Sequence, residues 1–494
     1  MQITQNYMKT TDKQRKPKAG LLLVASPRFK NLYGPERGTY GERKEIAVKE
    51  IKATLDFMDI VDPGIVYERE DAEKAMHMFF AEGVDFVYAE FLSWSEDFAW
   101  IRFLRDCPEM PMIFCNVAKP RMSFETTLDE DDFVDYLCAG TLVGSLEGSG
   151  SLKRIPRRNV RTVVGTREEI TQKVRVYAEA ARVRSILRRS TVGLMANMNE
   201  AMWSTYIDNY DLFTKIGPEL RYLPYSDYGT EIESLPEAEV KAYADELVSK
   251  YEMMPDVERD KFIGCVKATL AIKEMARKNS IDCYVYNDID QATFRTAGCR
   301  AGFYPQWFND NVSVLVPEAD IGAGLATYIL KLLSGKNVNF IEPFHIEDDF
   351  GTFAGGHAGP NDHNDPAWQD NVVISRDVRF AKTNWKYAGA PFAWYRISPG
   401  MKTVAGLYEQ DGRYKLVTFM AESLDAKDTP QSHIKHLLAT YSHTIFRPEV
   451  PVKQLFEQVL KIGVTQHYAI VDGDYRPQLE ALAEIMGFEF YSIK

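Results

Sequence analysis

Seven of the eight histidines lie in the last third of the chain, close to acidic residues at predicted strand ends and turns. They are His345, His357, His363, His433, His436, His443 and His467. Imidazole and carboxylate groups are the usual metal ligands and proton carriers of proteins. This uneven distribution predicts a divalent-cation site or a proton-transfer site in the last third of the chain.

Two glutamates stand where functional carboxylates are expected. Glu318 follows the strand-like run VSVLV and Pro317, directly before a predicted helix. Open α/β sheets expose functional side chains at such positions. Glu342 lies in the apolar run NFIEPF, where burying a carboxylate is costly unless a cation or hydrogen bonds compensate it. Taken alone, Glu318 also fits a favourable charge at a helix start, and Glu342 also fits a structural salt bridge.

Two histidines complete a candidate ligand set. His357 lies in the glycine-rich loop GGHAGPNDH, whose backbone can approach a ligand closely, and His467 lies at the predicted strand start in TQHYAIVDGD. Two carboxylates and two imidazoles suit Mn²⁺ or a similar octahedral cation better than closed structural zinc. Taken alone, His357 also fits an ordinary loop residue and His467 a satisfied core histidine.

The remaining histidines of this region are weaker candidates. His345 lies an odd number of positions from Glu342, which places it on the opposite face of a regular strand. His433, His436 and His443 flank a short predicted helix and are expected to be solvated.

A competing pattern is Gly322-Ala323-Gly324, which follows a predicted strand, opens a predicted helix and precedes the acid Glu342 by about twenty positions. This spacing imitates a dinucleotide-binding fingerprint. The third glycine is replaced by Thr327, and Glu318 and Asp320 before the helix would repel a pyrophosphate. Close helix packing is the alternative explanation of the two glycines.

Upstream of these residues, the chain alternates short apolar runs with amphipathic helical stretches. Continuous apolar runs such as GLLLVAS and VDFVYAEFL are typical of buried parallel strands. A fresh alternation begins near Ser190, and closely spaced strands with turn signals follow Gly335. We therefore predict an α/β protein with two Rossmann-like doubly wound domains, residues 1–189 and 190–336. A β-rich, barrel-like C-terminal domain, residues 337–494, should follow and carry most of the metal ligands.

The composition excludes several classes of protein. The net charge of −12 disfavours nucleic acid as the main partner. No apolar run approaches the roughly 18 residues needed to cross a membrane. The six cysteines form no CxxC pair, which favours a reducing, cytoplasmic location. The first eighteen residues lack an apolar pattern and are expected to be a mobile arm.

Several motifs resemble, in their order, those of the L-arabinose isomerase and L-fucose isomerase superfamily. They are EAD before an apolar helix, FIEPFHIE, GGHAG and the late QHYAIVDGD. The resemblance is specific from about Asn287 to Lys494 and only architectural before it. Glu318 and Glu342 match the two metal-binding, catalytic carboxylates of that family, and His357 and His467 match its two metal-binding histidines.

The resemblance implies a Mn²⁺-dependent isomerase that interconverts an open-chain aldose and its ketose. It also implies a homo-oligomer, trimeric or hexameric, with a small sugar as the substrate. The arabinose branch commonly has a His-His pair where this chain has Gln466 and His467, so the sugar stays open. Two other functions also stay open, an NAD-dependent sugar or polyol dehydrogenase using Gly322 and Gly324, and a non-catalytic sugar-binding protein.

Overall fold

The structure, a computed structural model, describes residues 12–119, 121, 129–155, 157, 159–377, 390–425 and 442–494. The chain divides into two compact units. The first unit holds Gln14–Ile186 and Pro477–Gly487, and the second holds the described residues 12–13, Leu187–Arg476 and Phe488–Lys494. None of the helices in these residues combines the length and apolar character needed to cross a membrane.

Among its described residues upstream of 190, the first unit contains a five-stranded parallel sheet, a short hairpin and six α-helices. The strands are β1 (Lys18–Val24), β2 (Tyr33–Gly34), β3 (Gly38–Thr39), β4 (Asp59–Val61), β5 (Phe86–Phe91), β6 (Met112–Val117) and β7 (Val160–Gly165). The helices are α1 (Tyr40–Thr54), α2 (Arg69–Glu82), α3 (Phe98–Asp106), α4 (Glu130–Ala139), α5 (Thr141–Arg154) and α6 (Arg167–Leu187). The strand order in the sheet is β4-β1-β5-β6-β7.

Burial explains the apolar runs of this sheet. Every residue of β5 is buried, as expected for a central parallel strand covered on both faces. The segment before β1 also contacts the first unit. Arg15 forms two hydrogen bonds with the buried carboxylate of Asp85, at 2.7 and 2.6 Å. The prediction of a mobile arm is therefore wrong at Arg15, and residues 1–11 lie outside the described residues.

The second unit begins with a four-stranded parallel sheet and its helices. The strands of this segment are β8 (Thr191–Met195), β9 (Glu219–Leu223), the separate short strand β10 (Glu252–Met253), β11 (Cys283–Tyr286) and β12 (Val314–Val316). The helices are α7 (Asn209–Asp211), α8 (Tyr225–Ser234), α9 (Glu237–Lys250), α10 (Arg259–Lys278), α11 (Gln291–Ala297), α12 (Trp307–Asp310) and α13 (Ile321–Ser334). The sheet order is β12-β11-β8-β9.

The rest of the second unit is rich in strands. These are β13 (Asn339–Glu347), β14 (Thr352–His357), β15 (Val372–Arg376), β16 (Pro391–Tyr395), β17 (Gly400–Gln410), β18 (Arg413–Ser423), β19 (Ser442–Pro448), β20 (Tyr468–Asp472) and β21 (Glu489–Ser492). The described helices of this segment are α14 (Val452–Ile462) and α15 (Arg476–Met486), and nearly all of α15 belongs to the first unit. Within the first unit, Glu484 of α15 forms an ion pair with Arg161 of β7.

Six antiparallel strands close into a barrel in the order β17-β20-β13-β14-β19-β18, because β18 also pairs with β17. A closed barrel leaves no unpaired strand edge. Strand β21 pairs with β18 outside this ring. The predicted class, α/β with parallel sheets and a barrel near the C-terminus, is confirmed at this level.

Candidate metal centre

Four side chains converge at the junction of the second parallel sheet and the barrel. They are Glu318, Glu342, His357 and His467, and one ligand atom from each lies within 4.8 Å of all the others. Glu318 follows β12, Glu342 lies on β13, His357 ends β14 and His467 directly precedes β20. The structure therefore brings together all four residues that the sequence predicts as ligands.

Strand pairing in the barrel explains why residues so far apart in sequence meet. Glu342 of β13 pairs with Gly356 of β14, next to His357, and Ile341 pairs with Tyr468, next to His467. A Cβ atom on Gly356 would overlap the backbone of the neighbouring strand β19. Only glycine allows this close approach of strands beside His357.

Glu318 is held in an unusual backbone conformation. Its φ is +65°, and that of Ala319 is +56°, in the left-handed region that residues other than glycine rarely adopt. Asp288 Oδ1 accepts a hydrogen bond from Glu318 N at 2.9 Å, and Asn199 Nδ2 donates to Glu318 O at 3.0 Å. Two buried side chains thus hold the turn that directs Glu318 into the site.

Each imidazole approaches both carboxylates. His357 Nε2 lies 3.3 Å from Glu318 Oε1 and 3.8 Å from Glu342 Oε2. His467 Nε2 lies 3.2 Å from Glu318 Oε2 and 3.3 Å from Glu342 Oε1. The ligand atoms of the four residues therefore surround one common space.

The Nδ1 atom of each imidazole already has a hydrogen-bond partner. His467 Nδ1 lies 2.8 Å from Asp320 Oδ2, and His357 Nδ1 hydrogen-bonds the carbonyl oxygen of Ala358. Because both oxygens only accept, each Nδ1 carries a hydrogen, and the neutral ring keeps its lone pair on Nε2. This is the arrangement that orients metal-binding histidines.

Ring packing fixes the imidazoles as well. The ring of Phe340 lies between them, 4.8 Å from that of His357 and 4.7 Å from that of His467 between centroids. Phe340 is itself held by Asn361, which accepts from Phe340 N at 2.9 Å and donates to Phe340 O at 2.6 Å. The site is therefore supported by a packed, hydrogen-bonded wall.

The buried charges of the site shift one another's pKa values. Burial alone would raise the pKa of Glu318, but His357 and His467 outweigh it and hold that pKa well below its usual range. Burial alone would lower the pKa of His467, but the nearby carboxylates of Asp320, Glu318 and Glu342 raise it well above its usual value. The ionised carboxylates are therefore stabilised by positive charge placed between them.

The residues present fit a divalent cation. Among the described residues, Glu318 Oε2 and His467 Nε2 are buried and have no hydrogen-bond partner. Leaving such atoms unsatisfied costs about 1–3 kcal/mol each. A cation bound between them would satisfy both atoms, and two carboxylates with two imidazoles are donors that Mn²⁺ accepts.

A buried ion network lies behind the ligands, and the sequence patterns did not predict it. Arg300 pairs with Asp288 and, at 3.3 Å, with Asp377, and it donates to Ala358 O at 3.0 Å. It therefore connects the residue that holds Glu318 N to the carbonyl that holds His357. Asp288 follows β11 as Glu318 follows β12, so the rule that found Glu318 could also have found Asp288.

Asp320 was expected only as a repulsive charge at the helix start. In the structure it also accepts from Ala323 N at 2.9 Å as the N-cap of α13. Its spacing of two residues from Glu318 is the signal that could have placed it beside the same site.

The other histidines lie outside this group. His345 is exposed and lies 3.2 Å from Glu347, and His363 is buried elsewhere in the second unit. The expectation that His443 is solvated is wrong, because His443 is buried and its ring lies beside those of Phe344 and Trp394. His433 and His436 lie outside the described residues.

Packing explains the two glycines of the dinucleotide-like pattern. A Cβ atom on Gly322 would overlap the carbonyl oxygen of Leu407 in β17. A Cβ atom on Gly324 would lie 2.9 Å from the sulfur of Cys283 in β11. Both glycines therefore permit α13 to pack closely against its neighbours in the second unit.

Comparison with known proteins adds no further assignment. No family model matches the sequence, and no curated protein matches it significantly.

Proposed function

We propose that this protein is a divalent-cation-dependent isomerase that interconverts an open-chain aldose and its ketose. One observation carries the proposal, the convergence of Glu318, Glu342, His357 and His467 within 4.8 Å. The motifs around these four residues are those that resemble the L-arabinose and L-fucose isomerase superfamily, and we propose membership of that superfamily. A cytoplasmic homo-oligomer, trimeric or hexameric, acting on a small sugar is part of the same proposal.

The four ligands would hold the cation, with Mn²⁺ as the first choice. A bound divalent cation would polarise sugar oxygens and stabilise the negative charge that develops on them. Asp320 and the Ala358 carbonyl keep the Nε2 atoms of the two histidines directed at the carboxylates. The chain thus supplies both the binding site and the orientation of its ligands.

The reaction needs two proton movements and no external oxidant. The C2–H bond breaks and a C1–H bond forms, while the hydroxyl proton at C2 moves to the oxygen at C1. C2 is oxidised as C1 is reduced, so the electrons balance within the sugar. One carboxylate accepts the C2 proton and returns it to C1, and a second relays the hydroxyl proton.

We assign Glu318 to the carbon-bound proton and Glu342 to the hydroxyl proton. Either carboxylate has the chemistry for either task, so exchange kinetics must separate them. Under this assignment, Glu318→Gln abolishes exchange of the C2 hydrogen with solvent, whereas Glu342→Gln leaves slow exchange at C2. The opposite pattern would reverse the two roles.

Solvent deuterium incorporation tests the whole proposal. The protein is incubated in D₂O with Mn²⁺ and a panel of pentoses, hexoses and 6-deoxyhexoses, and C1 and C2 are analysed by mass spectrometry. Deuterium should appear with at least one sugar, and EDTA should prevent it. Absence of exchange with every sugar would contradict isomerase activity on these classes.

Two other functions are separated by the same experiment. A dehydrogenase would bind NAD(H) in EDTA and incorporate no solvent deuterium without the nucleotide. The packing roles of Gly322 and Gly324 give no support to that function. A sugar-binding protein would show affinity for a sugar without exchange.

A further inference from the structure

A cavity lies at the end of the barrel where β13 begins and β20 ends. It has a volume of about 190 Å³, and its walls include Lys336, Asn339, Asp362, Trp368, Arg396 and Asp472. None of the four candidate metal ligands lines it. Asn339 precedes Glu342 by three residues on β13, which corresponds to about 10 Å along a strand. The cavity is therefore separate from the metal centre.

The formal charges of the cavity walls cancel. Three cations, Lys336, Arg396 and Lys402, are matched by three carboxylates, Asp362, Asp365 and Asp472. Lys402 forms an ion pair with Asp472. A balanced wall gives no net attraction for an anion or a cation, so it favours a neutral ligand.

Two polar groups of the walls, Asp362 and Arg396, have unused hydrogen-bonding capacity. Asp362 is buried, and its Oδ1 accepts from Asn309 and Asn337 at 3.1 Å each, but its Oδ2 has no hydrogen-bond partner among the described residues. Within the same residues, the half-buried guanidinium of Arg396 donates no hydrogen bond to a protein atom. The guanidinium of Arg396 can therefore donate to an oxygen atom of a ligand, which an apolar ligand would not provide.

The aromatic walls offer mainly ring carbons. Trp368 already donates its indole N–H to Arg396 O at 2.7 Å. Both nitrogens of His363 are engaged, Nε2 with Tyr304 N and Nδ1 with the hydroxyl of Tyr251, each at 3.2 Å. A ligand that combines C–H surface with hydroxyl groups complements this mixture, because a hydroxyl both donates and accepts.

We propose that this cavity binds a neutral polyol of monosaccharide size. The volume exceeds the roughly 150 Å³ of a cavity that holds one benzene molecule, so a ring or chain of five to six carbons fits. Hydroxyl groups of such a molecule accept hydrogen bonds from Arg396, and its C–H surface packs against Trp368. The ligand class follows from the walls alone and does not require the metal centre.

Alditols test the proposal on the full-length protein. They have no carbonyl group and cannot be isomerised, and EDTA removes any cation from the metal centre. Arabinitol, ribitol, xylitol and sorbitol are titrated by calorimetry and by ligand-observed NMR, with inorganic phosphate as the charged comparison. At least one alditol should bind saturably at one site per chain, and phosphate should not bind.

Variants locate the binding. Arg396→Gln and Trp368→Leu should each weaken alditol binding by about tenfold or more, because each removes a wall of the cavity. Glu318→Gln, at the metal centre, and Arg447→Gln, on the outside of the same barrel, should leave the affinity unchanged. Circular dichroism checks that each variant is folded, and the two cavity variants test the site independently.

Three results would overturn the proposal. The first is the absence of saturable binding by all four alditols. The second is binding of phosphate in place of alditols, which would assign the cavity to anions. The third is an alditol affinity that falls in Glu318→Gln and stays unchanged in both cavity variants, which would place the ligand at the metal centre.

Discussion

The two parallel sheets share one strand order, yet only the second borders a candidate metal centre. Counted along the chain, both sheets place the second strand at one edge, followed by the first, third and fourth. In the second unit, Asp288 and Glu318 follow adjacent strands of this sheet. Among the described residues of the first unit, no group of histidines, cysteines and acids is arranged to hold a metal.

The first sheet also buries a carboxylate, but a cation of the chain neutralises it. Glu90 of β5 receives two hydrogen bonds from Arg167, at 2.8 and 2.9 Å, and one from the hydroxyl of Tyr88. Glu318 instead meets two imidazoles and retains a buried oxygen without a partner. The difference is due to the barrel, which supplies the other three ligands, so sheet topology alone does not determine function.

Replacing Glu318 and Glu90 by glutamine should give the largest difference in activity between variants of the two sheets. Glu318→Gln should reduce turnover by at least about 10³-fold, because it removes a ligand and a proton carrier together. Glu90→Gln should retain turnover and Mn²⁺ affinity, while the fold loses stability. Steady-state kinetics and Mn²⁺ titration measure both effects. Equal loss of activity in the two folded variants would remove the functional distinction between the sheets.

Removing Arg167, which pairs with Glu90, and Arg300, which pairs with Asp288, compares the ion networks of the two units. Arg300→Leu should destabilise the second unit by about 3–5 kcal/mol, because it leaves the carboxylate of Asp288 buried without its cation. Arg167→Leu should cost the first unit less, since that side chain is 30% exposed and Arg300 only 5%. Native-state hydrogen exchange of β11 and β5 reports each unit separately. A larger loss in β5 would contradict this ranking.

The sequence predicted the four converging side chains better than it predicted the residues that support them. Glu318, Glu342, His357 and His467 lie at strand ends or in strands, where the chemistry of each residue stands out against apolar neighbours. The pairing of Arg300 with Asp377 joins residues 77 positions apart. No local pattern encodes such a pair, because it depends on how the sheet and the loops of the second unit meet.

The fold class was predictable for a similar reason. Continuous apolar runs distinguish buried parallel strands, and closely spaced turns distinguish the barrel. The burial of His443 was not predictable, because its contact with Trp394 of β16 joins residues far apart in sequence.

Replacing the capping residues Asp320 and Asp129 by asparagine should give an effect of intermediate size on Mn²⁺ affinity. Asp320 caps α13 and orients His467, whereas Asp129 caps α4 in the first unit and accepts from Asp132 N at 2.7 Å. Asparagine preserves both caps. Asp320→Asn should therefore weaken Mn²⁺ binding by about 10–100-fold, and Asp129→Asn should not change it. Calorimetric titration with Mn²⁺ measures both, and unchanged affinity in Asp320→Asn would contradict the orienting role.

A pH comparison of two histidines should give the smallest effect. Burial, assisted by the charge of Lys250, lowers the pKa of His363 to about 3, whereas His77 in the first unit is exposed. As the pH falls below about 6.5, the unfolded chain binds a proton at His363 that the folded chain does not bind, so stability is lost. Between pH 8 and pH 5.5 this loss amounts to about 1.4 kcal/mol.

Replacing the histidine should remove this part of the acid sensitivity. His363→Gln should lose less stability between pH 8 and pH 5.5 than the parent chain in urea unfolding. His77→Gln should behave as the parent chain does. An identical pH dependence for His363→Gln and the parent would show that His363 is protonated equally in both states.

Helix α15 has a consequence for biosynthesis. The segment Pro477–Gly487 belongs to the first unit, and Glu484 pairs there with Arg161. A ribosome adding about 5–20 residues per second makes this segment roughly 15–60 s after Ile186. During that interval the nascent first unit lacks one of its helices, and chaperones that shield incomplete domains have time to bind it.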